Sequence, residues 1–435
     1  MNQFALLVFV LLGLFAGGSQ AQLGGLGGQR GLGLPDLGGL TELGRPLRND
    51  GLLRQRIDAS LAPLDLQGLR QRLLEDRLSR HPRELGRDPA GALIVQRQLL
   101  ALPSSAPARD RLLALPGVTL LEATQLDGLE LSWLLLQADA TLLPQLRALD
   151  PDGQYDYQHI YLGSGTVGSP AVRRDEASKP SAKPIAQARV GLIDSGVDAR
   201  HPALRDAMLQ RYGCEGQAHP AAHGTAVASL LVGQDANFQG ALPGASLFAA
   251  DVYCDAATGG SVQAIAQGLA WLARERVGVI NISLVGPPNL LLQRAVAAAV
   301  AKGHLIVAAV GNDGPAAPPL YPAAWPGVVA VTGVDARRRV LAEAGRGPHL
   351  SLAAPGSQMV GATNGGGYLP LRGTSFAAPL VAGLLAASLA QPDAVGAGAA
   401  LAQLRSQAID LGTPGRDDIY GWGLVGERLR TAEPR

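Results

Sequence analysis

The sequence predicts an α/β protein, with a parallel sheet covered by helices on both faces over residues 185–427 and a small α+β region before it. Two observations predict the sheet. From Ile185 onward, short β-rich apolar runs alternate with stretches of helical spacing, the order that gives βαβ units. The β-rich runs are apolar almost throughout rather than alternating, as strands buried on both faces are. The third observation is upstream, where two apolar runs flank Asp127-Gly128 in the manner of a hairpin.

The strands expected in the sheet are Ala188–Ile193, Ala245–Val252, Val277–Ser283, Leu305–Val310 and Val328–Val334. Helical spacing lies between them at Ser261–Arg274 and Leu290–Lys302, and the pattern closes near Tyr420-Gly421-Trp422-Gly423. In the upstream region, Ala92–Leu102 reads as a strand and Arg109–Leu115 as a helix. Val118–Thr124 and Leu129–Gln137 read as the hairpin, Thr141–Leu149 as a helix and Gln154–Leu162 as a last strand. That β-α-β-β-α-β order over 91–162 is the split, ferredoxin-like motif.

The flanking segments have their own textures. Residues 1–21 read as a secretory signal: an apolar core from Phe4 to Ala16, then small residues at Ser19 and Ala21. An uncleaved anchor is the alternative, but the run is short for a bilayer, and no later stretch reads as a span. Residues 22–90 begin as a Gly- and Leu-rich spacer and continue, over 47–80, with the leucine spacing of amphipathic helices. Residues 163–184 mix Gly, Ser, Pro and Ala with charges and hold two of the chain's three lysines, the texture of a flexible linker and a cleavage site. Residues 428–435 form a tail.

At 435 residues the chain has room for two or three domains, and 47% hydrophobic content suffices for a large core. The net charge of +1, with Arg and acidic residues intermixed, excludes the basic footprint of a nucleic-acid binder.

Four short stretches carry chemistry. Gly373-Thr-Ser-Phe-Ala-Ala-Pro379 opens an apolar helical run, which places Ser375 at a helix start. There the main-chain amides lack helical acceptors and face an oxyanion formed by attack on a carbonyl. Alone, Ser375 would read equally well as a helix cap. His223, in Ala222-His223-Gly224-Thr225, also begins a helical run and is the best base among the seven histidines. Asp194 ends an apolar strand in Asp194-Ser195-Gly196, at the end of a parallel sheet where α/β proteins bind ligands; Asp198 is the lesser choice. Asn312, in Gly311-Asn312-Asp313-Gly314, ends another strand, where its side-chain amide can reach a developing oxyanion.

Together these residues, in the order Asp, His, Asn, Ser, resemble the subtilisin-like serine proteases, or subtilases (peptidase family S8), over about 185–427. The resemblance implies a subtilisin-like fold and an endopeptidase acting through an acyl-enzyme. Ser375 would be nucleophile, His223 base, Asp194 its orienting partner and Asn312 the oxyanion donor. It implies polypeptide substrates, bound as an added strand along Ser283-Leu284-Val285-Gly286 and near Gly311. Val285 departs from the family, which usually carries Gly there.

The family often carries a cleavable ferredoxin-like propeptide, so the resemblance makes 91–162 an intramolecular chaperone and inhibitor. A permanent accessory or partner-binding domain is the alternative. The segment 233–240 looks shorter than the family's calcium loop, and Asp235 and Asn237 are too few ligands for calcium, so no metal and no cofactor are expected. Export to periplasm or medium permits a disulfide between Cys214 and Cys254; two free thiols are the alternative. A catalytically silent, subtilase-like scaffold that binds peptides or a partner is the competing function. A lipase or esterase is disfavoured, since Ser375 lacks a Gly-x-Ser-x-Gly setting.

Overall fold

A computed structural model of the chain describes residues 68–167, 188–235 and 238–431. The expected signal, the spacer, the helical spacing at 47–67, the rest of the linker from 168 and Asn237 lie outside these residues.

The described chain begins with helix α1 (Leu69–Arg80). A short strand β1 (Leu85–Arg87) then leads into β2 (Leu93–Leu102), α2 (Ala106–Leu113), β3 (Thr119–Leu126), β4 (Leu131–Gln137), α3 (Leu143–Leu149) and β5 (Gln154–His159). Helix α2 starts three residues earlier than its leucine spacing suggests. Ser105 caps it by accepting from the Ala108 N–H, and a proline occupies its first turn. All pairings are antiparallel: β4 lies between β2 and β3, and β5 on the other side of β2. This is the expected β-α-β-β-α-β arrangement. Its last strand stops at His159 instead of continuing to Leu162.

The continuation is different. Leu162–Gly163 (β6) and Thr166–Val167 (β7) leave the small sheet and pair elsewhere. Residues 163–167, expected at the head of a linker, are therefore held strands and the turn between them.

The larger part contains β8 (Arg189–Asp194), β9 (Leu209–Tyr212), α4 (Ala222–Val232), β10 (Ser246–Asp251), α5 (Val262–Arg274), β11 (Val279–Ile282) and β12 (Leu284–Val285). It continues with α6 (Leu290–Ala301), β13 (Leu305–Ala309), β14 (Val328–Val334), β15 (Leu350–Pro355), β16 (Met359–Ala362), β17 (Tyr368–Arg372), α7 (Thr374–Ala386) and α8 (Ala394–Ser406). Seven strands form one parallel sheet in the order β15-β14-β13-β11-β8-β10-β9. Successive residues of β8 point to opposite faces. Val190 and Leu192 join a core that includes residues of α4, α7 and α8, while Ile193 joins one that includes residues of α5 and α6. Strands β9 and β15 are not evident in the sequence. β9 is half exposed at the sheet edge and short of apolar residues, so no pattern marks it.

The small sheet packs on α5 and α6. Trp133 is buried in their core, and its indole N–H donates to Gln263 Oε1 at 3.2 Å. Two polar side chains of β5 complete the packing by capping helix starts. Asp156 Oδ2 accepts from the Leu290 N–H at 2.8 Å, and Gln158 Oε1 from the Gln263 N–H at 3.1 Å. Helix N-terminal amides have no helical acceptor, so the upstream region supplies groups that α5 and α6 otherwise leave to solvent.

Cys214 and Cys254 form a disulfide, with Cα atoms 5.1 Å apart, joining the loop after β9 to the loop after β10. No helix among the described residues is long and apolar enough to cross a membrane.

Candidate active site

The expected residues converge at the carboxyl ends of the parallel strands. Asp194 is the last residue of β8, and its register partner Asp251 ends the adjacent β10. His223 lies in the first turn of α4, which approaches the loop after β8 because residue 224 is glycine: a Cβ there would sit 2.0 Å from the Ser195 carbonyl oxygen. The His223 Nδ1 atom is 2.8 Å from Asp194 Oδ1 and 3.1 Å from Oδ2. Asp194 is 1% exposed and also accepts the Ser195 N–H at 2.7 Å. With Nδ1–H committed to the carboxylate, neutral His223 presents an unprotonated Nε2. That atom is buried without a hydrogen-bond partner. A buried orphan nitrogen is costly in a structural histidine and is what a general base requires.

Two of the other buried histidines use a ring nitrogen in a structural contact. His201 Nε2 reaches the Gly367 carbonyl at 2.7 Å, and His304 Nδ1 the Val277 carbonyl at 2.7 Å. Asp198 accepts from the Arg200 and Gly365 main-chain N–H groups and shapes a loop.

Burial acts to lower the His223 pKa, but the charge and hydrogen bond of Asp194 outweigh it, and the net shift is upward from 6.5. A base works only when neutral, so protonation disables it up to a higher pH than for a free imidazole. The rate of peptide hydrolysis against pH is expected to rise with a midpoint above 6.5. A midpoint below that value would contradict the Asp194–His223 pairing.

Ser375 is the second residue of α7 and fully buried. Gly373 before it takes φ 137°, a conformation open to glycine, and a Cβ there would lie 2.9 Å from Asn312 Nδ2. The Asn312 amide is oriented by the Thr374 N–H, which donates to its Oδ1 at 3.2 Å and turns Nδ2 outward.

The cleft is filled by the chain itself. Strand β6 pairs antiparallel with β12, Gly163 opposite Leu284 and Leu162 opposite Val285. On its other side, the Tyr161 N–H donates to the Gly260 carbonyl at 2.8 Å, and Tyr253 Oη donates to the Tyr161 carbonyl at 2.8 Å. Tyr161 is fully buried, with its hydroxyl donating to the Pro287 carbonyl at 2.6 Å. Beyond the turn, β7 pairs with β17. Between the two strands lies Ser164. Its carbonyl oxygen is 2.5 Å from Asn312 Nδ2, 3.3 Å from the Ser375 N and 2.6 Å from Ser375 Oγ.

Leu284 and Val285 thus lie beside the seated strand, and a Cβ at Gly286 would sit 2.7 Å from the Tyr161 ring. Ser283 contributes its carbonyl, 3.1 Å from Ser375 Oγ, and its hydroxyl, which donates to the Ser375 carbonyl at 2.9 Å. The Gly311 N–H donates to Thr374 Oγ1 at 3.1 Å and so braces the start of α7. The opposite wall, Tyr253 and Gly260, is not among the residues the sequence pointed to. Gly259-Gly260 just before a helical run is the one sequence signal for it. Among the described residues, the one group with the spacing of a metal site is Cys214, Asp251 and Cys254, and its two sulfurs are joined to each other.

A parallel α/β sheet with a serine, a histidine and a carboxylate at its strand ends, and a peptide laid across them, defines a serine peptidase by class. Residues 186–423 match the subtilase family, Peptidase_S8. The chain is 32% identical over 270 residues to subtilisin DY of Bacillus licheniformis, covering 59% of this chain and 95% of that protein. It is 32% identical over 281 residues to subtilisin E of Bacillus subtilis strain 168, covering 62% and 70% respectively. It is also 33% identical over 207 residues to the minor extracellular protease Epr of the same strain, covering 47% of this chain and 32% of that protein. The crystal structure of fervidolysin from Fervidobacterium pennivorans, a keratinolytic enzyme related to subtilisin, shares the fold with a TM-score of 0.63 at 18% identity, covering 79% of this chain and 62% of that one. The chain belongs to the subtilase family and is a subtilisin-like serine endopeptidase.

Proposed function

We propose that this protein is an exported endopeptidase made as a zymogen, which cuts its own chain between Ser164 and Gly165 with Ser375, His223 and Asp194. The observation that carries this reading is the Ser164 carbonyl oxygen, within reach of two amide donors and the Ser375 hydroxyl. A packed carbonyl needs one donor. Two amides converging from separate elements, beside a buried hydroxyl, are suited to the charge of a tetrahedral intermediate.

The steps follow from these positions. Ser375 Oγ turns from the carbonyl oxygens it faces toward His223 Nε2, gives up its proton there and bonds to the Ser164 carbonyl carbon. The oxyanion is held by Asn312 Nδ2 and the Ser375 N–H. His223 passes the proton to the Gly165 nitrogen, the peptide bond breaks, and water hydrolyses the Ser164 ester with His223 again as base. Asp194 holds the imidazole orientation and balances its charge.

The upstream region also suits an inhibitor that outlasts the cut. Its strand 161–163 is bonded to both walls of the cleft, and α1 lies over it. Leu74 and Leu78 of α1 share a cluster with Ile160 and Leu162. Arg77 donates to the carbonyls of Ala256, Ala257 and Gly259 at 2.9–3.1 Å, fastening α1 to the wall loop, and Arg70 pairs with Asp313 beside the oxyanion residue at 2.6 Å. Export is supported by the apolar leader, the disulfide and the extracellular relative.

Labelling with a fluorophosphonate tests both parts. Secreted protein should label on Ser375, slowly while the upstream region stays bound, and Arg77→Ala should label about tenfold faster, the net worth of one charge-assisted hydrogen bond. No labelling of either form would contradict an active site. Equal rates would contradict the role of α1.

A further inference from the structure

Residues 161–166 are a peptide seated in the cleft, so the surroundings of each residue show which side chains the cleft accepts, on the reading that the chain cuts itself after Ser164. Gly165 is the first residue beyond that cut. A Cβ built on it would lie 2.7 Å from Phe376 Cε2 and 3.2 Å from Cζ, closer than carbon atoms pack. The backbone is not the obstacle, because Gly165 is not among the residues with positive φ. The obstacle is the ring. Phe376 is fully buried in the core beneath the sheet, with its ring 5.5 Å from the His223 ring, so it has little room to retreat. On the other side of the cut, a Cβ at Gly163 would lie 3.2–3.3 Å from three atoms of the His223 ring, which Asp194 holds in place. Ser164 itself is 6% exposed, with its hydroxyl 2.7 Å from Ser375 Oγ.

We propose that Phe376 makes this protease select glycine immediately after the cut, so that its substrates are glycine-rich polypeptide segments of the form Gly–small–Gly, cut before the second glycine. Phe376 acts here as a specificity residue on the leaving side. It sits one residue after the nucleophile, so one α7 turn sets both the attack and the residue that departs. The His223 ring adds the weaker preference for glycine two residues before the cut, where the contact is tight but not forbidding.

The test uses secreted protein and peptides built on Tyr-Leu-Gly-Ser-X-Thr-Val, with X as Gly, Ala or Val. The readout is the ratio of kcat/KM between peptides, which does not depend on how much enzyme is active. Wild type is expected to favour Gly over Ala by roughly 10–200-fold, the range for one added carbon in a fitted site, and to leave Val uncut. Phe376→Met, which replaces a rigid ring with a flexible chain, should bring the Gly-to-Ala ratio toward one; Phe376→Leu serves if the Met variant does not fold. A wild-type ratio near one, or a ratio unchanged in these variants, would overturn the inference. In the chain itself, Gly165→Ala should slow self-cleavage by a similar factor. Normal speed with the cut still after Ser164 would sink the selection by Phe376 and leave the processing reading standing. A chain never cut there would sink the processing reading, and the peptide ratios would still decide what Phe376 does. If no peptide is cut either, both fall.

Discussion

Ser375→Ala is expected to leave the secreted chain uncut after Ser164 and to lower peptide hydrolysis on the order of a million-fold, a magnitude measured on subtilisin itself and carried over. The physical basis is that the variant removes the nucleophile positioned at the Ser164 carbonyl. The fold should survive the change. Ser375 is fully buried, but the substitution is small, and the strand 161–163 keeps its pairing to Leu284–Val285 and to Gly260. The variant should therefore be a stable, full-length zymogen. Self-cleavage at the wild-type rate would mean that another group, or another protease, does the cutting.

Asn312→Ala is expected to slow self-cleavage by roughly 10²–10³-fold, again the subtilisin magnitude for an oxyanion donor. Asn312 Nδ2 lies 2.5 Å from the Ser164 carbonyl oxygen and is aimed there by the Thr374 N–H. The remaining donor, the Ser375 N–H at 3.3 Å, cannot replace it, because it alone would face the full charge. The alternative is an asparagine that only shapes a Gly-flanked turn. In that case the melting temperature would fall and the cleavage rate of the folded protein would not. Measuring both on the same sample separates the two roles.

Much of the site is legible in the sequence because its residues sit in local signals. Asp194 ends an apolar run, while His223 and Ser375 each open a helical one, and such patterns survive in the sequence because each element has its own period. The β-α-β-β-α-β order is legible for the same reason. The occupant of the cleft is not. Gly163-Ser-Gly-Thr-Val167 has the texture of a linker, and its partners lie over a hundred residues away in β12 and two hundred in β17. Its glycines look like flexibility in the sequence. In the structure they are close approaches, to His223 and to Phe376. Gly311 is legible only by its adjacency to Asn312, while its φ of 93° and its bond to Thr374, which brace the start of α7, have no local signal. Helix α1 is legible as amphipathic, but leucine spacing alone cannot show that its apolar face lies over the bound strand.

The most direct measurement is the amino-terminal residue and intact mass of the secreted protein, wild type beside Ser375→Ala. The expected result is a wild-type catalytic chain beginning at Gly165, with the upstream fragment ending at Ser164, and a Ser375→Ala chain in which that bond is whole. A wild-type chain beginning elsewhere, or a Ser375→Ala chain cut after Ser164 as readily as wild type, would contradict it.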